Sequence, residues 1–235
     1  MIKKYNAYYN KFVVNLNKLD FLPLFAIRLY LAPVFIMAGL TKYRSFDDTA
    51  QWFGNADLGL GLPFASFWVA MVIVAELIGG VALLLGVATR LFCVLLAITM
   101  AVAMLLVHLK NGWHAITPTD PATNIAQLFG GLGQVSLDNS IQAGERLNKA
   151  REILQTHGNY DWLTETGNFV ILNNGIEFGM TYFIMLLVLI IYGAGRYTSI
   201  DFWINKKCTK YNYANLIKKA WTRYISPCLL LRITN

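Results

Sequence analysis

The sequence predicts an all-α integral membrane protein: a four-helix bundle with an extracytoplasmic insertion between helices 3 and 4. Three observations carry that expectation. The 235 residues are 56% hydrophobic and only 14% charged, where a soluble domain has about 25% charged residues. Four runs, 22–41, 64–86, 90–109 and 177–195, are apolar over roughly the 20 residues that a bilayer crossing needs. Lys and Arg gather toward the two ends of the chain, which is the bias that sets membrane orientation.

The N-terminal segment holds Lys3, Lys4, Lys11 and Lys18, with Tyr5, Tyr8, Phe12, Val13 and Leu16 recurring at helical spacing. That pattern predicts a basic amphipathic helix lying along the headgroups. The first apolar run starts after these residues and contains Arg28, which predicts a retained anchor rather than a cleaved leader. The connection 42–63 carries Gly54, Gly59, Gly61 and Pro63, so a folded hairpin or interfacial turn is expected. Only Arg90 marks the turn between the second and third runs.

The insertion 110–176 is richer in structure than a linker. After turn chemistry around Pro118 and Pro121, "NSIQAGERLNKAREILQTHG" reads as an amphipathic helix with Leu147, Ala150, Ile153 and Leu154 on one side and Gly158 at its stop. "YDWLTETGNFVILNNG" predicts a short helix and an extended piece packed on the bundle rim. The connections 42–63 and 110–176 share six basic residues against nine acids. The segment after 195 has eight basic residues and one acid, Asp201. Both termini are therefore expected in the cytoplasm and both long connections outside. Residues 1–200 form the transmembrane domain and 201–235 a basic cytoplasmic tail, where Tyr213, Leu216, Ile217, Ala220, Trp221 and Tyr224 repeat the amphipathic pattern. The net charge of +7 then suits an anionic leaflet and gives no reason to invoke nucleic acid. The bilayer is the expected partner, with other membrane or periplasmic proteins.

Two ionisable groups interrupt the apolar runs, Arg28 and Glu76, and a charge at the bilayer centre costs about 2.5–3.5 kcal/mol on insertion scales. At ~1.5 Å per residue, Arg28 lies roughly 9 Å and Glu76 roughly 15 Å from the cytoplasmic ends of their helices. An arginine side chain can cover that offset, so an Arg28–Glu76 pair is expected. It would either fix helix register or serve a proton or ligand. A neutral, protonated Glu76 is the third reading. Gly80, with the stripe Ala75, Gly79, Ala82 and Gly86, predicts close helix packing.

At the outer end, Lys42, His108, His114 and Glu177 are expected to line a mouth. Met100, Met104 and His108 follow at i, i+4 and i+8, and thioether and imidazole ligands suit Cu(I). The alternative is that methionine fills gaps in an apolar core. No P-loop, HExxH, dinucleotide fingerprint, GxSxG or CxxC occurs. The cysteines Cys93, Cys208 and Cys228 are dispersed, so an independent thiol oxidoreductase is disfavoured.

"RLYLAPVFIMAGLTKYRSF", "VAELIGGVALLLGVATR" and "AVAMLLVHLKNGW" together resemble the DoxX family of small four-helix membrane proteins. Arg28, Gly39, Lys42, Glu76, Gly79, Gly80, Gly86, Thr89, Arg90 and His108 carry the resemblance. It implies a bacterial inner-membrane bundle associated with redox chemistry, since relatives include a subunit of an archaeal thiosulfate:quinone oxidoreductase and partners in oxidative-stress complexes. The long insertion is similar to a proteobacterial HvfX-type subgroup encoded beside copper-binding, post-translationally modified peptides. The expectation is a non-autonomous role in membrane-linked redox or copper-stress handling, extending to maturation of a metal-binding peptide. A quinone-binding oxidoreductase subunit and a structural anchor for partner proteins stay open beside it, with quinone or Cu(I) as the cofactor.

Overall fold

In the computed structural model, which describes residues 2–118, 131–207 and 209, the chain is all-α. Among these residues no strand forms beyond a single antiparallel bridge between Ile116 and Leu172. The main helices are α1 (Ile2–Leu16), α2 (Phe21–Arg44), α3 (Phe46–Gly54), α4 (Ala65–Leu85), α5 (Thr89–Val102), α6 (Gly131–His157), α7 (Tyr160–Leu163) and α8 (Glu177–Tyr192). A 3-10 turn over Asn17–Leu19 joins α1 to α2.

Among the described residues three helical stretches are long and apolar enough to cross a membrane: Tyr8–Arg44, Ala65–Leu85 and Thr89–Asn111. The third continues α5 through a π-helical segment, Ala103–His108, and a 3-10 turn, Leu109–Asn111. The predicted fourth run overshoots its helix. α8 has 16 residues, about 24 Å at 1.5 Å each, and stops because Gly193 turns left-handed at φ 78°.

Leu31, Ala32 and Phe35 of α2, Leu83 of α4, Cys93, Leu96 and Ala97 of α5, and Leu186 and Leu189 of α8 form one buried core. Around it the helices expose large apolar side chains such as Leu29, Met71, Ile78, Leu91, Ile98 and Ile191. Exposed rows of that kind are unstable in water and stable in lipid.

The small residues set the helix spacing. A Cβ on Gly80 would fall 2.7 Å from Ile36 Cγ1 and 3.1 Å from the Ala32 carbonyl oxygen, and one on Gly79 about 3.1 Å from Leu96. Gly80 therefore seats α4 against α2, and Gly79 seats it against α5. Gly39 does the same from α2, facing Leu77 and the Cβ of Glu76. Ala75 is half-buried. Gly80→Ala is expected to cost about 1–3 kcal/mol, because the obstructing atoms include α2 backbone. Thermal unfolding in detergent measures it.

The connection after α2 is a helix, α3, followed by a tight turn, rather than a hairpin. Gly59 donates to the Asn55 carbonyl and Leu60 to that of Trp52. A Cβ at Gly59 would overlap the Trp52 carbonyl. In the insertion, α6 is longer than the predicted helix, and its buried stripe runs through Ser140, Ala143 and Leu147. Ile153, expected on that stripe, is 62% exposed. The N-terminal stripe is also uncovered, with Tyr8 and Phe12 exposed on α1. The amphipathic pattern beyond 210, Cys208, Cys228 and the segment around Pro121 lie outside the described residues.

Candidate functional site

The intramembrane charges separate into two sites at opposite ends of the bundle. Glu76 is buried, and both of its carboxylate oxygens accept from Lys42 Nζ at 2.8 Å. The lysine side chain remains 28% exposed while that of Glu76 is 3% exposed. The expected Arg28–Glu76 pair does not form. Helical side chains lean toward the N-terminus of their own helix. α2 and α4 run antiparallel, so Arg28 leans away from Glu76, and Lys42, one turn beyond Gly39, leans down to meet it. Glu76 in turn leans toward Lys42. Position along the axis without this lean selects the wrong cation.

Arg28 instead ties carbonyls together. Its Nε donates to Leu83 O at 2.7 Å, Nη2 to Leu84 O at 3.0 Å, and Nη1 to Ala194 O at 2.8 Å. Longer bonds reach Thr198 O at 3.3 and 3.4 Å. The last carbonyls of a helix have no partners within it, so one guanidinium caps α4 and holds the turn after α8 against it. Gly86, left-handed at φ 68°, leaves the room: a Cβ there would stand 2.6 Å from Arg28 Nη2. Gly86 thus serves as a cap and a seat for Arg28 more than as a helix-packing residue.

Asp201 completes this end, and nothing in its sequence context marks it. Its Oδ1 accepts from Ala88 N at 2.7 Å and its Oδ2 from Thr89 N at 2.9 Å. A carboxylate on the free N–H groups opening a helix is an N-cap, here delivered from 112 residues away. It also holds Ala88, whose φ is 45°. Arg90 Nη2 donates to Ile191 O at 3.1 Å near the end of α8.

The remaining residues expected at the outer mouth secure the insertion. His108 Nδ1 lies 2.9 Å and Asn111 Nδ2 3.0 Å from the carbonyl oxygen of Asn174, which is itself left-handed at φ 61°. Glu177 accepts from Ala115 N at 3.0 Å, and the His114 carbonyl accepts from Gly175 N and Asn173 Nδ2. Asn139 of α6 reaches Asn111 O and Asn173 Oδ1. His108, His114 and Glu177 therefore bind segment 111–117 to segment 171–177. Among the described residues none of them bonds to Lys42 or Glu76. They share a level with Lys42 along the bundle axis, which is all that spacing could show.

Met104 is buried, and a Cβ on Gly179 would meet its Cγ at 2.7 Å and its sulfur at 3.3 Å. Met100 packs on the core. Among the described residues no three His, Cys, Asp or Glu side chains converge on a metal-sized site.

An all-α chain with several membrane-capable helices, a buried lysine–carboxylate pair at one end and a guanidinium clamp at the other belongs with helical membrane proteins. Residues 23–109 match the DoxX family model. That stretch contains Arg28, Lys42, Glu76, Arg90 and His108. A curated relative from Bacillus subtilis (strain 168), named "Putative oxidoreductase CatD", is 38% identical over 84 residues, 36% of this chain and 58% of that protein. The chain thus spans a little over half the length of the relative it matches. No solved structure matches.

Proposed function

We propose that this chain is a non-autonomous component of a membrane redox system, in which the Lys42–Glu76 pair binds and protonates a membrane-soluble carrier of the quinone class. The observation that carries the reading is the pair itself: a buried carboxylate held by a lysine that stays partly open. Two of the three Lys42 N–H groups face Glu76, so a third donor is free for a carbonyl acceptor. Glu76 adjoins that donor and can return a proton through it. An intramembrane ionisable pair suggests this kind of duty, because its burial is costly to keep for structure alone. A bound quinone would supply the two-electron chemistry, and Lys42 and Glu76 would orient it and handle its protons. The relative's name, with "oxidoreductase" in it, points the same way.

In this reading α2, α4, α5 and α8 form four crossings in a bacterial inner membrane. Both termini are cytoplasmic and the 110–176 insertion is periplasmic, as the distribution of Lys and Arg supports. The short α8 is accommodated by local thinning or by its flanking residues. In this reading electrons come from a partner protein.

Mass spectrometry of the protein extracted in mild detergent tests the proposal. Wild type is expected to carry quinone, and Glu76→Gln and Lys42→Met to lose it while still accumulating in the membrane. Wild type without quinone, or variants that retain it in full, would overturn the assignment.

A further inference from the structure

A cavity of about 820 Å³ opens at the Arg28 end, far from Lys42 and Glu76. Its walls come from the start of α2, the α4–α5 turn, the end of α8 and the residues after it. Much of the lining is apolar, including Leu24, Leu91, Val188 and Tyr192, while Arg90, Arg196 and Asn205 stand at its polar side.

The acids on this wall are already occupied. Both Asp201 oxygens accept backbone N–H groups, and Asp20 faces Arg196 at 3.3 Å across an exposed pair. Arg90 has no carboxylate partner among the described residues, and its one hydrogen bond is through Nη2 to the Ile191 carbonyl. A guanidinium has five N–H donors arranged to grip phosphate oxygens, so most of this fork is free. Among the described residues Arg196 is held only by an exposed pair, which is worth little and can be exchanged.

Cationic donors at the end of the bundle, beside apolar walls running into the membrane-capable helices, match an amphiphile with an anionic head. A free phosphate would use the donors and leave the apolar volume unfilled. We infer that this cavity binds the phosphate of an anionic phospholipid through Arg90 and Arg196, with an acyl chain along Leu91 and Val188. Basic pockets between membrane helices recognise lipid headgroups in this way. The inference stands apart from the Lys42–Glu76 reading and does not depend on it.

The test is ligand-dependent stability and native mass spectrometry of the full chain in detergent. The probes are phosphatidylglycerol, phosphatidylcholine of the same acyl chains, and inorganic phosphate. Phosphatidylglycerol is expected to raise the melting temperature and to remain attached, whereas phosphatidylcholine and phosphate do neither. Arg90→Gln should weaken the phosphatidylglycerol effect about tenfold, as loss of one charge-assisted hydrogen bond implies. Arg196→Gln, at an exposed position, gives the same reading should Arg90→Gln fail to accumulate. Equal effects of the two lipids, full stabilisation by phosphate alone, or unchanged binding in the accumulating variant would overturn the inference.

Discussion

Arg28→Leu is expected to lower the stability of the bundle by about 3 kcal/mol or more, the largest effect of any single substitution considered. Leucine fills much of the volume but leaves the carbonyls of Leu83, Leu84 and Ala194 without the donors that reach them at 2.7–3.0 Å. A hydrogen bond to a charged group contributes roughly 1.5–3 kcal/mol, and a buried acceptor left bare adds its desolvation penalty. Water at the helix ends recovers part of the loss, so the three contributions do not add in full. Arg28→Lys restores the charge but not the fork that spans two helix ends, and is expected to recover less than half. Unfolding in detergent with increasing denaturant measures both. The same substitution should loosen residues 194–205, since Thr198 and Ala194 are held by the same guanidinium, and limited proteolysis detects that change.

Lys42→Met is expected to be the next most damaging change, at about 3 kcal/mol. Removing one member of a buried pair typically costs 3–5 kcal/mol because the other charge is left uncompensated, and the partial exposure of Lys42 places it at the low end. Glu76→Gln should cost less, since a neutral amide can still accept from Lys42. Lys42→Met combined with Glu76→Leu should approach wild-type stability, because apolar replacement of a whole buried pair is often neutral. Denaturant unfolding of the single and double variants gives the coupling energy. A stable double variant that has lost its quinone would separate the pair's chemical duty from its structural one.

Much of the fold was legible because the governing signal is long-range in sequence and coarse in chemistry. Twenty apolar residues have few alternatives to a helix in lipid, so α2, α4 and α5 lie close to where composition puts them. α8 ends earlier because Gly193 adopts a left-handed turn, which an apolar run does not signal. Gly79 and Gly80 were readable as packing surfaces, since a missing side chain matters wherever two helices touch. The polar contacts were less readable. Glu76 stood out as a lone acid, yet its partner depends on the direction of side-chain lean in antiparallel helices, which counting residues from the helix ends ignores. Lys42 stands at the outer end of the first apolar run, one turn beyond Gly39. Asp201 sat in a basic stretch and resembled an ordinary solvated acid. Its role appears only when the chain after α8 folds back onto the start of α5. His108, His114 and Glu177 share a level with Lys42, and sequence cannot tell a shared level from a shared opening.

Lys42, and not Arg28, holds Glu76 in the apolar interior of the bundle. Solid-state NMR of the full chain in lipid bilayers, with nitrogen-labelled lysine and arginine side chains and carbon-labelled glutamate, tests it most directly. A dipolar contact between Lys42 Nζ and Glu76 Cδ, lost in Lys42→Met and retained in Arg28→Lys, is the predicted result. A contact from the Arg28 guanidinium to Glu76, or none from Lys42, would contradict it.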